Sequence, residues 1–153
     1  MRIALASDHA GFPLKKHLVA YLTQQGYEVI DLGVDNPDLP SDYPDAAEAV
    51  AMAIIEGRAE RAILACGSGI GASIAANKFP GIYAAIAHDH YSAHQGVEHD
   101  QMNVLTIGAR VIGEKIAEEV SDAFLAAQPS DEERHLRRFG KVQAIERRHT
   151  KTD

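Results

Sequence analysis

The sequence has 153 residues, of which 46% are apolar and 24% are charged, and its formal net charge is −7. This length and composition suit one soluble globular domain spanning 1–153, and the acidic balance argues against a large nucleic-acid-binding surface. A single cysteine excludes an internal disulfide and is typical of a protein of the reducing cytoplasm. No apolar run approaches the length that crosses a bilayer, so no membrane partner is expected.

The amino terminus, "MRIALASDHAG", carries one arginine and a short apolar run before Asp8 and His9. A signal peptide would carry small residues and a cleavage site at that point. We therefore predict a buried first strand over 2–8.

Beyond this strand the pattern alternates between helix and strand. Helices are indicated by apolar residues at helical spacing, and strands by short continuous apolar runs. In chain order the pattern predicts a helix over 12–25, a strand over 28–33, a helix over 45–57, a strand over 61–66, a helix over 70–78, a strand over 82–88, a helix over 90–98, a strand over 103–109 and a helix over 113–127. The buried faces of the first and last of these helices are predicted at Leu14, Leu18, Tyr21 and Leu22, and at Ile116, Val120, Phe124 and Ala127.

Two segments differ from this alternation. The stretch 34–45, "VDNPDLPSDYPD", is rich in proline and aspartate and predicts a loop. Residues 128–149 predict a last helix, which starts after Pro129 with a capping box formed by Ser130 and Glu133. The tail, 149–153, is expected to fray.

Five apolar strands separated by helices predict an α/β protein with a doubly wound, five-stranded parallel sheet. In such sheets ligands bind beyond the carboxyl ends of the strands. Asp8 and His9 follow the first strand, Cys66 ends the third, and His88 and Asp89 follow the fourth. We therefore expect these polar groups to gather at one edge of the sheet.

A glycine-rich turn, "CGSGIGA", follows the only cysteine directly. Gly67, Gly69 and Gly71 allow the backbone to bend and expose successive N–H groups, and a helix from about Ile70 adds its positive end. This arrangement is a cradle for an anion or oxyanion, and it favours the thiolate form of Cys66. The alternative is a small buried cysteine beside a connecting turn.

Several phosphate-binding motifs can be compared with this turn. A Walker A loop is excluded because no Gly-Lys-Ser/Thr follows, and a cysteine phosphatase would need an arginine where Ala72 stands. The stretch 67–72, "GSGIGA", fits a dinucleotide fingerprint with Asp89 near the distance of a ribose-binding acid. That interpretation leaves Cys66 and Ser68 without a task.

A histidine cluster follows the fourth strand. His90 and His94 are four residues apart, and His88 and Asp89 precede them, so the spacing alone allows a metal-dependent hydrolase. The alternative is that His88 and Asp89 close the strand at the site edge while the other two lie on the surface or at an interface. We assign no metal ligand.

Six segments spread over nearly the whole chain resemble the ribose-5-phosphate isomerases of type B, in the wider family that includes the galactose-6-phosphate isomerase subunits. They are "SDHAGF" (7–12), "DYPD" (42–45), "CGSGIGASIAANK" (66–78), "HDHYSA" (88–93), "NVLTIGARVIG" (103–113) and "ERHLRRFGKVQAIE" (133–146).

The resemblance implies an aldose–ketose isomerase that interconverts D-ribose 5-phosphate and D-ribulose 5-phosphate, in the pentose phosphate pathway, without metal or organic cofactor. It implies a single Rossmann-like domain with a C-terminal helix, working in the cytoplasm as a homodimer or homotetramer with active sites shared between subunits. A nucleotide-binding module that uses the same glycine turn is the alternative from another class.

The resemblance also assigns the chemistry. Cys66 matches the catalytic base that removes the C2 proton of the sugar, and Ser68 stands where a hydroxyl could relay a proton between the sugar oxygens. The backbone N–H groups of Gly67, Ser68, Gly69, Ile70 and Gly71 could stabilise the enediolate. His99 matches the histidine that opens the sugar ring, a task that suits an imidazole near neutral pH.

Other residues match substrate contacts. Asp8 and His9 match the family's Asp-His pair, although Asp8 could equally cap the following helix. Arg110 is carried over as a substrate contact. Arg134 and Arg138 are four apart and share a helix face, so two guanidinium groups there could clamp a phosphate dianion.

His135 lies between these two arginines and is placed with them at the substrate. Spacing alone favours an ordinary charged surface for this helix, since acidic and basic residues surround the pair. The phosphate site therefore depends on the resemblance.

One segment departs from the family pattern. Where the family reads Arg-x-His-Asn-Asp-x-Asn, this chain reads "VEHDQMN" (97–103), so Val97 replaces an arginine and Asp100 an asparagine. An ionised aspartate only accepts hydrogen bonds, whereas asparagine also donates. The change leaves open a four- or six-carbon aldose phosphate as the substrate.

Overall fold

The computed structural model describes residues 1–151. Its strands are β1 (Arg2–Ser7), β2 (Glu28–Asp31), β3 (Arg61–Cys66), β4 (Ala84–Ile86) and β5 (Val104–Gly108). They form one five-stranded sheet in the order β2-β1-β3-β5-β4, and every neighbouring pair is parallel. The predicted α/β fold with a doubly wound parallel sheet is confirmed.

Six helices connect and cover the strands. They are α1 (Phe12–Gln24), α2 (Tyr43–Ile55), α3 (Ile70–Ala76), α4 (His90–Asp100), α5 (Glu114–Ala126) and α6 (Glu133–His149). One face of the sheet packs against α1, α4 and α5 through a core of large residues that includes Leu18 and Phe124. The other face packs against α2 and α3, whose buried residues are mostly alanine, so these helices lie close to the strands. No helix within residues 1–151 is long and apolar enough to span a membrane.

Two element boundaries differ from the prediction for local reasons. The helix expected over 45–57 begins at Tyr43, because Pro44 in its first turn is compatible with a helix start. The strand expected over 82–88 shrinks to β4, which lies at the sheet edge. The side-chain amide of Asn77 covers its open side by donating to the carbonyl of Ala84 and accepting from the Ala84 N–H, both at 2.8 Å.

The predicted burial of Ile116 and the predicted capping box are wrong. Ile116 is 42% exposed, since the buried face of α5 is centred on Val120 and Phe124. Glu132 is the N-cap residue of α6, and the Ser130 hydroxyl accepts from the Glu132 N–H instead of capping a helical residue.

The carboxyl-terminal helix itself is present. It ends at His149, so the fraying predicted over 149–153 does not include its first residue. Residues 152 and 153 lie outside the described part of the chain.

Arg61, at the start of β3, stabilises the end of α5. Its guanidinium is buried and donates to the carbonyl oxygens of Phe124 (2.6 Å), Leu125 (3.4 Å) and Ala127 (2.8 Å). These carbonyls belong to the last turn of α5 and beyond, where a helix leaves its oxygens unpaired. Burial lowers the pKa of Arg61, but an arginine keeps its charge at neutral pH.

Replacing Arg61 with Met is expected to lower the free energy of unfolding by about 2–4 kcal/mol, because buried carbonyls would lose their donors. Urea unfolding followed by circular dichroism measures the change. The matched control is Arg58→Met, since Arg58 is an exposed arginine that pairs with Glu56 at the surface. Equal unfolding midpoints for the two variants would contradict this role.

Candidate active site

The turn after β3 is built around the thiol of Cys66. Cys66 is 5% exposed, and the N–H of Gly69 donates to its Sγ over 2.9 Å. Gly69 has φ = +85°, a backbone conformation that favours glycine. An N–H directed at the sulfur stabilises negative charge on a thiolate, so the loop supports a reactive form of the cysteine.

The loop lies in close contact with its neighbours. A Cβ atom at Gly108 would lie 2.6 Å from the Ser68 carbonyl oxygen, and one at Gly71 would lie 2.7 Å from the ring of Tyr43. Glycine at both positions lets β5 and α2 approach the loop. The N–H of Ile70 donates to the Ser68 Oγ at 3.2 Å. Two N–H groups of the expected cradle therefore have partners within the loop itself.

Asp8 and His9 flank the loop from the end of β1. Asp8 is buried, and its Oδ1 accepts from the Gly11 N–H at 3.0 Å just before α1. It therefore closes a turn while lying at the site. The backbone N–H of His9 donates to the Ser41 hydroxyl at 2.8 Å.

The Ser41 backbone also orients the His9 ring. The Ser41 N–H donates to Nδ1 of His9 at 3.1 Å, so a neutral ring carries its proton on Nε2. The same Nδ1 lies 3.2 Å from the Ser41 carbonyl oxygen, so the ring is held against the Ser41 backbone.

These groups enclose a cleft of about 400 Å³. Its lining is Asp8, His9, Ala10, Tyr43, Cys66, Gly67, Ser68, Gly71, Arg110 and Val111. Arg110 crosses the loop so closely that a Cβ at Gly67 would lie 2.9 Å from its Nη1. The cleft thus combines a thiol, a hydroxyl, a carboxylate and a guanidinium, and it suits a small anionic, polyhydroxylated ligand.

A second set of predicted residues lies elsewhere in the chain. His99 and Asp100 are in the last turn of α4, which runs from the carboxyl edge of the sheet back to the amino edge. They stand beside the start of β5, whereas Cys66 pairs with Gly108 at its end. The rise of a strand places these two levels about 13 Å apart. One copy of the chain does not bring His99 to Cys66.

His99 belongs to a small cluster of its own. Its ring stacks on that of His135 with centroids 3.9 Å apart, and its Nδ1 lies 2.9 Å from the side-chain nitrogen of Gln95. His135 is 5% exposed and its Nδ1 lies 2.9 Å from the Ser130 hydroxyl. His135 therefore packs behind the ring of His99. Arg134 and Arg138 are exposed on α6.

One of the two arginines expected at the phosphate, Arg134, already has a partner. Arg134 forms an ion pair with Glu132 at 2.6 Å, which a bound phosphate would have to replace. Together with His99 and Asp100, Arg134 and Arg138 form what we call the second half-site.

The histidine cluster has other partners. His94 pairs with Glu98 at 2.9 Å and stacks on His90 with centroids 6.2 Å apart. The Asp89 carboxylate caps α4 by accepting from the Ser92 N–H, and this bond lowers the pKa of Asp89. Within residues 1–151 no three His, Cys, Asp or Glu side chains are grouped so as to hold a metal ion.

Sequence reasoning missed two residues of the site. Tyr43 lines the cleft from the start of α2, and Ser41 of the proline-rich loop holds His9, and only the tertiary fold brings them there. Tyr43 lies inside the quoted "DYPD" motif, which was the available signal. Val97, which stands where the family pattern has an arginine, is buried in the core and lies outside the cleft lining.

A buried cysteine under a glycine loop, at the carboxyl edge of a doubly wound sheet and beside an arginine, defines an α/β protein with a thiol site for a small anionic ligand. The sequence comparisons name the family within that class. The chain belongs to the Ribose/Galactose Isomerase family, which it matches over residues 3–142. The resemblance seen in the sequence is confirmed.

Known relatives cover most of the chain. It is 44% identical over 147 residues to ribose-5-phosphate isomerase B of Escherichia coli strain K12, covering 96% of this chain and 97% of the relative. It is 42% identical over 128 residues to the D-erythrulose-4-phosphate isomerase of Pectobacterium atrosepticum, covering 84% of each. The solved structure of Clostridium thermocellum ribose-5-phosphate isomerase B superposes with a TM-score of 0.94 at 41% identity, covering 98% of this chain and all of that one.

Proposed function

We propose that the protein is an aldose–ketose isomerase that interconverts D-ribose 5-phosphate and D-ribulose 5-phosphate in the pentose phosphate pathway. The observation that carries the proposal is the Cys66 thiol, held by the Gly69 N–H at the cleft that Asp8, Ser68 and Arg110 line. The family membership and the relatives named ribose-5-phosphate isomerase B support it.

We assign each group of the cleft a task. The Cys66 thiolate takes the proton from C2 of the open-chain aldose, and the electron pair moves to form the C1–C2 double bond of a cis-enediolate. The hydroxyl of Ser68 exchanges the proton between O1 and O2, and Arg110 stabilises the negative charge on these oxygens. The thiol then returns its proton to C1, which gives the ketose.

The second half-site completes the reaction from a second copy of the chain. His99 would open the sugar ring, and Arg134 and Arg138 would hold the phosphate, but none of the three lines the cleft of Cys66 in one copy. Two apolar side chains of α3 beside the cysteine loop, Ile70 and Ile74, are 55% and 59% exposed. We therefore propose a homodimer, or a tetramer built from such dimers, in which each site is shared.

The working thiol also fits a reducing compartment, and we place the protein in the cytoplasm. No metal or organic cofactor has a task in this mechanism.

A four-carbon aldose phosphate is the second candidate substrate. Asp100 is exposed at the end of α4, where the family has an asparagine, and one relative is named D-erythrulose-4-phosphate isomerase. A carboxylate beside the sugar would accept hydroxyl protons but donate none. The substitution therefore bears on which hydroxyl pattern the site selects.

The test is to mix the purified chain with D-ribose 5-phosphate and follow ketose absorbance, with and without a chelator. We expect ketose formation that is unchanged by chelation. A panel of four- and six-carbon aldose phosphates run in parallel ranks the substrates by kcat/KM. Higher kcat/KM for a four-carbon sugar would replace the pentose assignment, and no turnover of any of them would contradict the isomerase.

A further inference from the structure

The His88 side chain takes the place of a backbone partner at the end of the sheet. The ladder between β4 and β5 continues as far as the Ala87 N–H, which donates to the Thr106 carbonyl at 3.3 Å. One step further along, the Gly108 N–H donates to Nε2 of His88 at 2.9 Å. The imidazole thus satisfies a backbone donor of β5 where the neighbouring strand has already ended.

The opposite side of Gly108 faces the cysteine loop. Its Cα lies so close to Ser68 that a Cβ there would be 2.6 Å from the Ser68 carbonyl oxygen, and a Cβ at Gly69 would be 3.1 Å from the carbonyl carbon of Ile107. The next N–H along, that of Ala109, donates to the Cys66 carbonyl at 2.8 Å. A displacement of Gly108 would therefore be passed directly to the loop.

We propose that His88 is a positioning residue of the isomerase. It holds the Gly108 backbone in the position that orients the Cys66 loop for proton transfer. The kinetic part of this inference rests on the proposed function. His88 is not among the residues that line the cleft, and it acts through the backbone of Gly108.

The hydrogen bond requires a neutral ring, because Nε2 must keep its lone pair to accept from an N–H. Partial burial lowers the pKa of His88, and Asp89 beside it acts in the opposite direction. Cys66 at the end of β3, Arg110 after β5 and His90 at the start of α4 are further titratable groups on the elements next to Gly108. Burial and the bond to Gly108 therefore both favour the neutral ring of His88.

Two substitutions separate the acceptor from the bulk of the side chain. In His88→Gln the amide oxygen can reach the position of Nε2 and accept from Gly108, whereas His88→Leu fills similar space without an acceptor. We expect kcat to fall by about 10- to 100-fold in H88L, since small displacements of a catalytic group cost this much. KM should stay within about twofold because the cleft residues remain, and H88Q should recover most of kcat.

The control variant is His90→Gln, which replaces a neighbouring histidine of α4 that stacks on His94 and lies outside the cleft lining. It should leave kcat and KM unchanged. H88L with wild-type kcat, or H88Q as slow as H88L in a folded protein of unchanged melting temperature, would overturn the proposal.

Amide hydrogen exchange gives a readout that does not need turnover. The Gly69 and Gly108 amides should exchange at least about tenfold faster in H88L than in H88Q or the wild type. Equal exchange rates at these amides in H88L and the wild type would overturn the positioning role. If the wild type isomerises no aldose phosphate, the proposed function fails, and the exchange experiment still decides whether His88 holds the loop.

Discussion

Replacing Cys66 with Ser is expected to lower kcat for aldose–ketose isomerisation by about 100- to 10,000-fold, the range over which a positioned base contributes. A serine hydroxyl is close in size to the thiol and can still accept from the Gly69 N–H, so the loop should keep its shape. It is a far weaker base near neutral pH than a thiolate. KM for the phosphorylated sugar should therefore change little, and steady-state kinetics on D-ribose 5-phosphate separate the two parameters.

The matched control for this variant is Ser121→Ala. Ser121 is a fully buried small residue of α5, on the face of the sheet opposite the one against which Cys66 packs. It should leave turnover unchanged. A Cys66→Ser variant with wild-type turnover would rule out the thiol as the base, and an equal loss of kcat in S121A would show that the loss does not report on the thiol.

The sheet could be predicted from the sequence because its strands are continuous apolar runs. "RAILAC" is buried at every position and was predicted with its observed bounds, Arg61–Cys66. The length of β4 was overestimated because β4 lies at the sheet edge. It pairs with β5 alone, and that pairing covers fewer residues than the apolar run in the sequence. Helix phase was misjudged at Ile116 because apolar identity alone does not say which side of a helix meets the sheet.

The cleft was predictable where its residues lie next to strand ends. Asp8 directly follows β1 and Cys66 ends β3, and parallel strands bring such residues to one edge. Arg110 was placed there by the family resemblance. Ser41 was not predictable because α1, β2 and the loop after it separate Ser41 from His9 in the chain, and only folding brings them together.

Asp89 shows how a local motif can suggest the wrong partner. Its separation from the glycine turn along the sequence suited a ribose-binding acid, but its carboxylate caps α4 by accepting from the Ser92 N–H. The proposed approach of His99 to Cys66 across two copies of the chain could not be predicted from spacing, since no spacing in a sequence encodes contact with a second copy.

A mixture of two inactive variants is expected to recover activity if the sites are shared. Cys66→Ala removes the base, and His99→Gln removes the ring-opening group while keeping a side chain of similar length. When equal amounts are unfolded together and refolded, half of the dimers contain one chain of each kind. Each such dimer has one site with both defects and one with neither, so activity should reach about a quarter of the wild-type value.

The control mixture combines wild-type chain with the double variant Cys66→Ala/His99→Gln. With shared sites, every mixed dimer then has a defect in both sites, so only the wild-type dimers work and activity should be about a quarter of that of an equal total amount of wild type. With sites contained in one chain, this mixture would keep about half, and the mixture of single variants would stay inactive. These two results together would contradict the shared site, because each chain would then have to supply both Cys66 and His99 to its own site.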